Sequence, residues 1–349
     1  MQASFSKYSL RFKRPGGTSR GVMTQKDTYF VCLRAGEAWG IGEAGLFRGL
    51  SSDDRPDYEQ VLARACEAVA EQGDQAVGAY REYPSIVIGF EQALHSLRGS
   101  TPFELFPSSF LKGEPIPING LIWMGEPSFM KQQIRAKIDA GFPCLKLKIG
   151  ALEFEEELGM LQEIRREFTP RDLEIRVDAN GAFSQKDALE KLKRLSEQGL
   201  HSIEQPIAPG SWEAMSELCA RTPLPIALDE ELIGIHKARE KHQMLEWIQP
   251  QYVIIKPSLA GGFSGSREWI EAAESRRIGW WITSALESNI GLNAIAQWTA
   301  SLDVHMPQGL GTGSLFTNNF ESPLHVTGGT LRYGPGGQWN ESEIKNLCI

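Results

Sequence analysis

Apolar and polar positions alternate between residues 5 and 45, with Phe5, Tyr8, Leu10 and Phe12 followed by Tyr29, Val31 and Leu33. This pattern predicts a small antiparallel meander, and the Pro15-Gly16-Gly17 breaker places a mobile loop at about Arg14 to Met23. Apolar residues then recur at helical spacing (Val61, Leu62, Ala65, Cys66, Val69, Ala70), and a second helical stretch runs from about Ile86 to Leu97. Strands followed by helices make residues 1–115 an α+β unit.

From about Ile116 short apolar, β-branched runs alternate with helical patterns. The runs are IPINGLIW, CLKLKIG, LEIRVDAN, SIEQPI, PIALDEE, YVIIKPSLAGG, WWITSAL and HMPQGLGTG, starting near 116, 144, 173, 202, 225, 252, 280 and 305. Their spacing is that of a βα unit with its loops. Eight strands with helices between them predict an α/β fold with a (β/α)8-type barrel over residues 116–315, and an open doubly wound sheet is the structural alternative. The units share little sequence, which argues against a solenoid. After residue 315 the chain is strand-like and Gly-rich again (HVTGGTLRYGPGGQW), so residues 316–349 are expected to return to the N-terminal unit and complete a capping domain.

Composition narrows the partners. The net charge of −8 argues against a general nucleic-acid or anionic-membrane binder, leaving a small-molecule ligand. No run approaches the roughly 18 apolar residues of a membrane span, and MQASFSKYSLRFKRPGG lacks the apolar core of a signal peptide, so a cytoplasmic protein is expected. The five cysteines (Cys32, Cys66, Cys144, Cys219, Cys348) are scattered and never spaced as CxxC, which predicts reduced, buried thiols.

The chemistry is in the charges that interrupt the strands. Buried parallel strands should be apolar, yet Lys146, Lys148, Arg176, Asp178, Glu204, Asp229, Glu230 and Lys256 fall at or near the C-terminal ends of theirs, which is the catalytic mouth of a βα barrel. Buried charges of both signs must compensate one another around a metal or a substrate. Asp178, Glu204 and Asp229 come from successive strands, 26 and 25 residues apart, and an oxygen-only set of that kind selects Mg²⁺ or a similar hard cation. Taken singly, each is equally readable as a helix cap or a loop carboxylate. Glu230 and Asn180 are placed to support the carboxylates. Lys146 and Lys148 share one face of their strand, opposite Leu145, Leu147 and Ile149, so one ammonium is expected to depress the pKa of the other and prepare a base. Lys256 lies across the barrel. Taken alone, the KxK segment also reads as an exposed edge strand.

Other motifs carry less. Gly40, Gly42 and Gly45 form a GxGxxG with no helix start behind it, and read as a hairpin and loop rather than a dinucleotide site. Gly309, Gly311 and Gly313 after the eighth strand form either a tight turn or, with Ser284, backbone donors for an anionic substrate group. Trp280 and Trp281 read as barrel core. His201, His236, His242, His305 and His325 show no metal spacing, and no GxSxG or Ser-His-Asp order supports nucleophilic hydrolysis.

KLK at 146–148, VDAN at 177–180, EQP at 204–206, DE at 229–230 and IKPS at 255–258 together resemble the enolase superfamily in its muconate-lactonizing-enzyme-like branch. The resemblance spans nearly the whole chain and implies a modified TIM barrel beneath an α+β cap. It implies Asp178, Glu204 and Asp229 as Mg²⁺ ligands, with Mn²⁺ an admissible substitute, and Lys148 as the base. Lys256 would then stabilise an enediolate and Lys146 would tune Lys148. Arg176, Asn180, Glu230, Ser284 and Gly311 remain candidates for supporting or substrate contacts.

Within the branch, GEAGLFRGLS at 42–51, FPCLKLKIG at 142–150, SALESNIGLNAIAQW at 284–298 and PQGLGTGSLFTNN at 307–319 are most similar to the dehydratases that aromatise a cyclohexadiene carboxylate bearing a succinyl arm. N-acylamino-acid racemases, dipeptide epimerases and cycloisomerases use the same lysines and carboxylates, so those residues leave racemisation open. The epimerases typically carry a DxD after strand eight, where this chain has GLGTGSLF, which argues against a substrate α-ammonium. A non-catalytic metal-binding barrel is the alternative of a different class.

Overall fold

Tyr29 to Leu33 are buried without a break, and that run sets the middle strand of the first sheet. The computed structural model describes residues 1–18, 21–334 and 337–348. In it β1 (Gln2–Thr18), β2 (Gly21–Ala35) and β3 (Ala38–Ala44) form an antiparallel meander. The stretch predicted as a loop at Arg14–Met23 is instead largely drawn into the β1–β2 hairpin, with a register shift between Arg11 and Gly16. Ser19 and Arg20 lie outside the described residues.

The helices α1 (Tyr58–Gln72) and α2 (Pro84–Arg98) pack on this sheet through Tyr29, Val31, Leu33, Val61, Leu62 and Phe90. Gly40 and Gly42 sit within β3 rather than in a loop, and the reason is steric. A Cβ at Gly42 would come within 2.0 Å of the Gly89 carbonyl oxygen, and one at Gly40 within 2.4 Å of Ala93 O, so the two glycines let α2 cross β3 backbone to backbone.

Beyond β4 (Ile116–Pro117), strand and helix alternate: β5 (Gly120–Ile122), α3 (Pro127–Asp139), β6 (Cys144–Lys148), α4 (Phe154–Glu167), β7 (Glu174–Asp178), α5 (Gln185–Ser196), β8 (Ser202–Glu204), α6 (Trp212–Arg221), β9 (Ile226–Leu228), α7 (Ala238–Ile248), β10 (Tyr252–Ile255), α8 (Pro257–Ala260), α9 (Gly262–Glu274), β11 (Gly279–Ile282) and α10 (Asn289–Ala300). Among the described residues β5 to β11 form a seven-stranded parallel sheet in sequence order. The α/β fold class is as predicted, but the eighth strand is reduced to Gln308 and Gly309. Gln308 N donates to Pro117 O (2.8 Å) and Asn119 N to Gln308 O (3.0 Å) on one side, while Gly309 N donates to Ile282 O (2.8 Å) and Ser284 N to Gly309 O (3.1 Å) on the other. These bonds join the two edges of the sheet. A Cβ at Gly309 would meet Thr283 Oγ1 at 2.3 Å, so glycine is required there. Leu145, Leu147, Ile175, Val177, Ile203 and Val253 face the helices in the main apolar core. Trp281 is buried inside the ring, whereas Trp280 is on the outer side, half-buried, donating to Glu274.

The last residues return to both ends of the barrel. β12 (Leu324–Thr327) and β13 (Thr330–Tyr333) pair antiparallel, and β13 pairs with β4. Lys13 N donates to Leu315 O and Thr317 N to Arg11 O, each at 2.8 Å, and Phe320 packs on Tyr8 and Phe30. After α11 (Glu341–Lys345) the chain places Ile344 and Cys348 in a small core with Phe30, Cys32, Trp39 and Ile41. The expectation of five reduced thiols is therefore corrected. Cys32 and Cys348 form a disulfide across a sequence separation of 316 residues, and Cys66, Cys144 and Cys219 are free and buried. Spacing along the chain carried no sign of it, because proximity comes from the C-terminal segment folding back on β2.

Two buried acids fix the cap. Glu43 on β3 accepts Ser288 N (2.9 Å), Ser288 Oγ (2.5 Å) and Gly291 N (3.1 Å) at the start of α10, and Thr28 Oγ1 (2.8 Å), which ties the meander to the barrel rim. Asp53 accepts Ser85 N (2.9 Å) and Ser85 Oγ (2.6 Å) at the start of α2, holding the 45–54 loop. Burial pushes its carboxyl up to about 6, against those hydrogen bonds.

Cys348→Ser is expected to lower unfolding stability by about 2–5 kcal/mol in denaturant melts, with dithiothreitol reproducing the shift in the wild type only. An unchanged wild-type midpoint under reduction would overturn this. Because the folded-state pKa of Asp53 lies above its unfolded value, its ionisation penalises the native state as pH rises from about 4 to 6. Wild-type stability should fall relative to Asp53→Asn across that window, and parallel curves would refute it.

Candidate functional site

Inward-pointing charges stack where the strands end. Register aligns Lys148 with Asp178 and Asp178 with Glu204 across β6, β7 and β8, with Lys146 one layer deeper. Lys148 Nζ donates to Asp178 Oδ2 (2.9 Å) and to Asn180 Oδ1 (2.7 Å). Lys146 Nζ lies 2.9 Å from Asp178 Oδ2 and also pairs with Glu204. Lys256, which follows β10, pairs with Asp229, which follows β9. Asn180 takes a left-handed backbone (φ 44°), its N–H donates to Asp178 Oδ1 (2.9 Å), and its Nδ2 donates to Glu230 Oε1 (2.9 Å).

All three carboxylates are at most 3% exposed. Burial alone would protonate Asp178, but the Lys146 and Lys148 ammoniums outweigh it and hold its carboxyl far below the usual range. Glu204 goes the other way: burial, reinforced by the Asp178 and Asp229 charges, raises it well above normal despite Lys146 and Lys256. Glu230 is likewise raised, by burial and then by Asp229 and Asp178. For Lys146 the cost of burial is overcome by Asp178, Glu204 and Asp229, which raise its pKa. Lys256 is raised in the same way, chiefly by Asp229. The like-charge depression predicted within the lysine pair is thus not what governs Lys146, because the three carboxylates beside it dominate.

The lysines open into one cavity. It is lined by Lys146, Lys148, Lys256, Asn180 and Glu230 on one side. Asn119, Thr283, Ser284, Gly311 and Thr312 line the other, and Phe47, Leu50 and Trp123 contribute apolar surface. The structure therefore places Ser284 and Gly311 in the cavity wall, with Ser284 Oγ 2.7 Å from Thr312 Oγ1. Arg176 is not there. Its guanidinium is turned toward Glu174 (2.7 Å), Pro307 O (2.8 Å) and the Trp281 ring (4.3 Å), and it does not line the cavity. Strand periodicity identified its face but not its depth along the strand. Phe47, Leu50, Asn119 and Trp123 were not singled out from sequence; Asn119, just ahead of an apolar strand and two residues before the inward Leu121, was the one detectable signal.

Glu157 on α4 steadies the loop behind Lys148, accepting the N–H groups of Gly150, Ala151 and Leu152 at 2.7 to 3.1 Å. A larger cavity, about 600 Å³, lies elsewhere, between α2 and α9. Its Arg81 and Arg98 are already paired with Glu268 and Asp74, and it contains none of the lysine–carboxylate set.

Chemically, the donor set suits a hard divalent ion. Asp178, Glu204 and Asp229 offer oxygen only, from three neighbouring strands, and both Glu204 oxygens are buried without a hydrogen-bond donor although Lys146 is close enough for an ion pair. Among the described residues no three acidic, His or Cys side chains are yet drawn to metal-ligating geometry; the ammoniums stand between the carboxylates.

Comparison with known proteins bears on this arrangement. Residues 130–337 match the family described as Enolase C-terminal domain-like. The chain is 49% identical to an o-succinylbenzoate synthase of Desulfotalea psychrophila, over 95% of this chain and 98% of that one. The crystal structure of MenC from the same organism superposes with a TM-score of 0.84 at 46% identity, covering 95% of this chain and 99% of that chain. A dipeptide epimerase from Enterococcus faecalis, crystallised with Mg and the dipeptide L-Leu-L-Tyr, shares the fold with a TM-score of 0.81 at 18% identity, covering 96% of this chain and 97% of its own.

Proposed function

Because the chain belongs to the enolase superfamily, whose C-terminal domain-like segment covers residues 130–337, we infer that it catalyses the o-succinylbenzoate synthase reaction. In that reaction 2-succinyl-6-hydroxy-2,4-cyclohexadiene-1-carboxylate loses water to become 2-succinylbenzoate, on the route to menaquinone. The observation that carries the reading is a single cavity lined by Lys146, Lys148 and Lys256 in a chain so similar to an enzyme of that name.

The proton to be removed is α to a carboxylate and only weakly acidic, because its loss adds a second negative charge to the acid. We assign Asp178, Glu204 and Asp229 as the residues that hold Mg²⁺, with Mn²⁺ as a substitute. When bound, the ion supplies positive charge beside the substrate carboxylate. Lys148 is the base. Its Nζ is anchored by Asn180 Oδ1 and Asp178 Oδ2, and in its neutral form it takes the α proton. As the electron pair of that C–H bond becomes a ring double bond, the C–O bond at the neighbouring carbon breaks. The proton on Lys148 passes to the departing hydroxyl, so one lysine serves both halves of a syn elimination and the products are an aromatic acid and water. The Lys256 ammonium offsets the developing charge from across the cavity, and Lys146 holds Asp178 and Glu204 in place.

The same residues would permit racemisation between Lys148 and Lys256. Against a dipeptide-epimerase reading, the cavity wall around Gly311 and Thr312 carries no carboxylate to meet a substrate ammonium.

Following the rise of aromatic absorbance with Mg²⁺ tests the reading directly, and absence of product from the cyclohexadiene acid removes it. Lys148→Ala is expected to cut turnover by about 10²–10⁴-fold while Mg²⁺ binding by calorimetry is retained. A non-catalytic barrel predicts no change in any activity. Glu204→Gln should raise the Mg²⁺ concentration for half-maximal rate on the order of tenfold or more, and an unaltered metal titration would count against the three-carboxylate set.

A further inference from the structure

The wall opposite the carboxylates contains an unused polar group. Asn119 precedes β5, and its backbone is pinned at the barrel seam by the bond from its N–H to Gln308 O (3.0 Å). Its side chain lines the cavity and the residue is 5% exposed; Oδ1 is buried, and among the described residues Nδ2 donates to no protein group, which leaves its N–H₂ as a free donor. A donor largely removed from water gains by hydrogen-bonding to an acceptor that enters the cavity.

Position says what that would be. The ion-holding carboxylates come from β7 to β9 in the middle of the sheet, whereas Asn119, Ser284 and Thr312 come from its two joined edges, across the barrel. A substrate whose ring carboxylate meets the carboxylate side directs its remaining arm to the seam. The cavity residues there are neutral, so an anionic arm is met by hydrogen-bond donors rather than by a cation.

We propose that Asn119 is a specificity-determining residue whose side-chain amide donates a hydrogen bond to the terminal carboxylate of the substrate's succinyl arm. The assignment rests on the reaction class inferred above. Its test is calorimetric binding of two probes, 2-succinylbenzoate and benzoate, to the Mg²⁺-loaded wild type and to Asn119→Leu and Asn119→Asp. A hydrogen bond to a charged group is worth about tenfold or more in affinity. Asn119→Leu should lose about that for 2-succinylbenzoate and leave benzoate within about twofold. Asn119→Asp keeps the size and polarity of the side chain and should lose more for 2-succinylbenzoate, because it sets a carboxylate against a carboxylate. Unchanged 2-succinylbenzoate affinity in both variants, or an equal loss for both probes, overturns the assignment while leaving the dehydratase reading intact. A wild type that forms no aromatic product removes the dehydratase reading and this assignment with it.

Discussion

Mutual compensation of charge inside the barrel mouth is the constraint on which the rest of the structure depends. Three carboxylates and Lys146 are buried at the ends of short strands, with Lys148 and Lys256 only partly exposed beside them, and a buried charge alone would be unfavourable by several kcal/mol. Lys146 bridges Asp178 and Glu204, Lys148 shares Asp178, and Lys256 faces Asp229. Asp178 can therefore stay ionised where burial would protonate it. Glu204 is the least compensated of the three, since Asp178 and Asp229 stand on either side of it and its carboxyl is raised well above normal despite Lys146 and Lys256.

Holding such a cluster needs a rigid surround, and buried carboxylates provide it by capping backbone. Glu157 gathers three N–H groups behind Lys148, and Glu43 gathers those at the start of α10 from the opposite domain. Glu287 accepts Ser258 Oγ and Ala285 N, linking the turn after Lys256 to the wall that holds Ser284. Lys26, buried from the cap, offsets the charges of Glu43 and Glu287 without bonding to either, and burial lowers its pKa. The cap is thus joined to the mouth by polar contacts that also fix the walls of the cavity.

Much of this was legible in sequence because charge in a buried parallel strand is so costly that it identifies itself. Lys146, Lys148, Asp178, Glu204 and Asp229 could be placed at the strand ends from their spacing, and the structure brings them together. What periodicity does not encode is depth and return path. Arg176 shares the inward face of β7 with Asp178, yet lies one layer down against Trp281. The eighth strand was readable as a βα unit, but Pro307 and Gly309 leave it only two bridging residues. Phe47 and Leu50 reach the cavity from a different domain, and Cys32 finds Cys348 only after the whole chain has folded, so local pattern held no trace of either.

That last pairing has a consequence for how the molecule is made. β2 precedes the barrel along the chain, but its outer face is covered by Phe320, Ile344 and Cys348, which follow the barrel. Until those residues are in place the meander can pair its strands, but one side of it remains bare. The cap is therefore finished later than the barrel strands that precede its C-terminal half. A chain cut before Ile344 would leave the barrel mouth beneath an unsealed cover, with an exposed apolar face that invites misassembly.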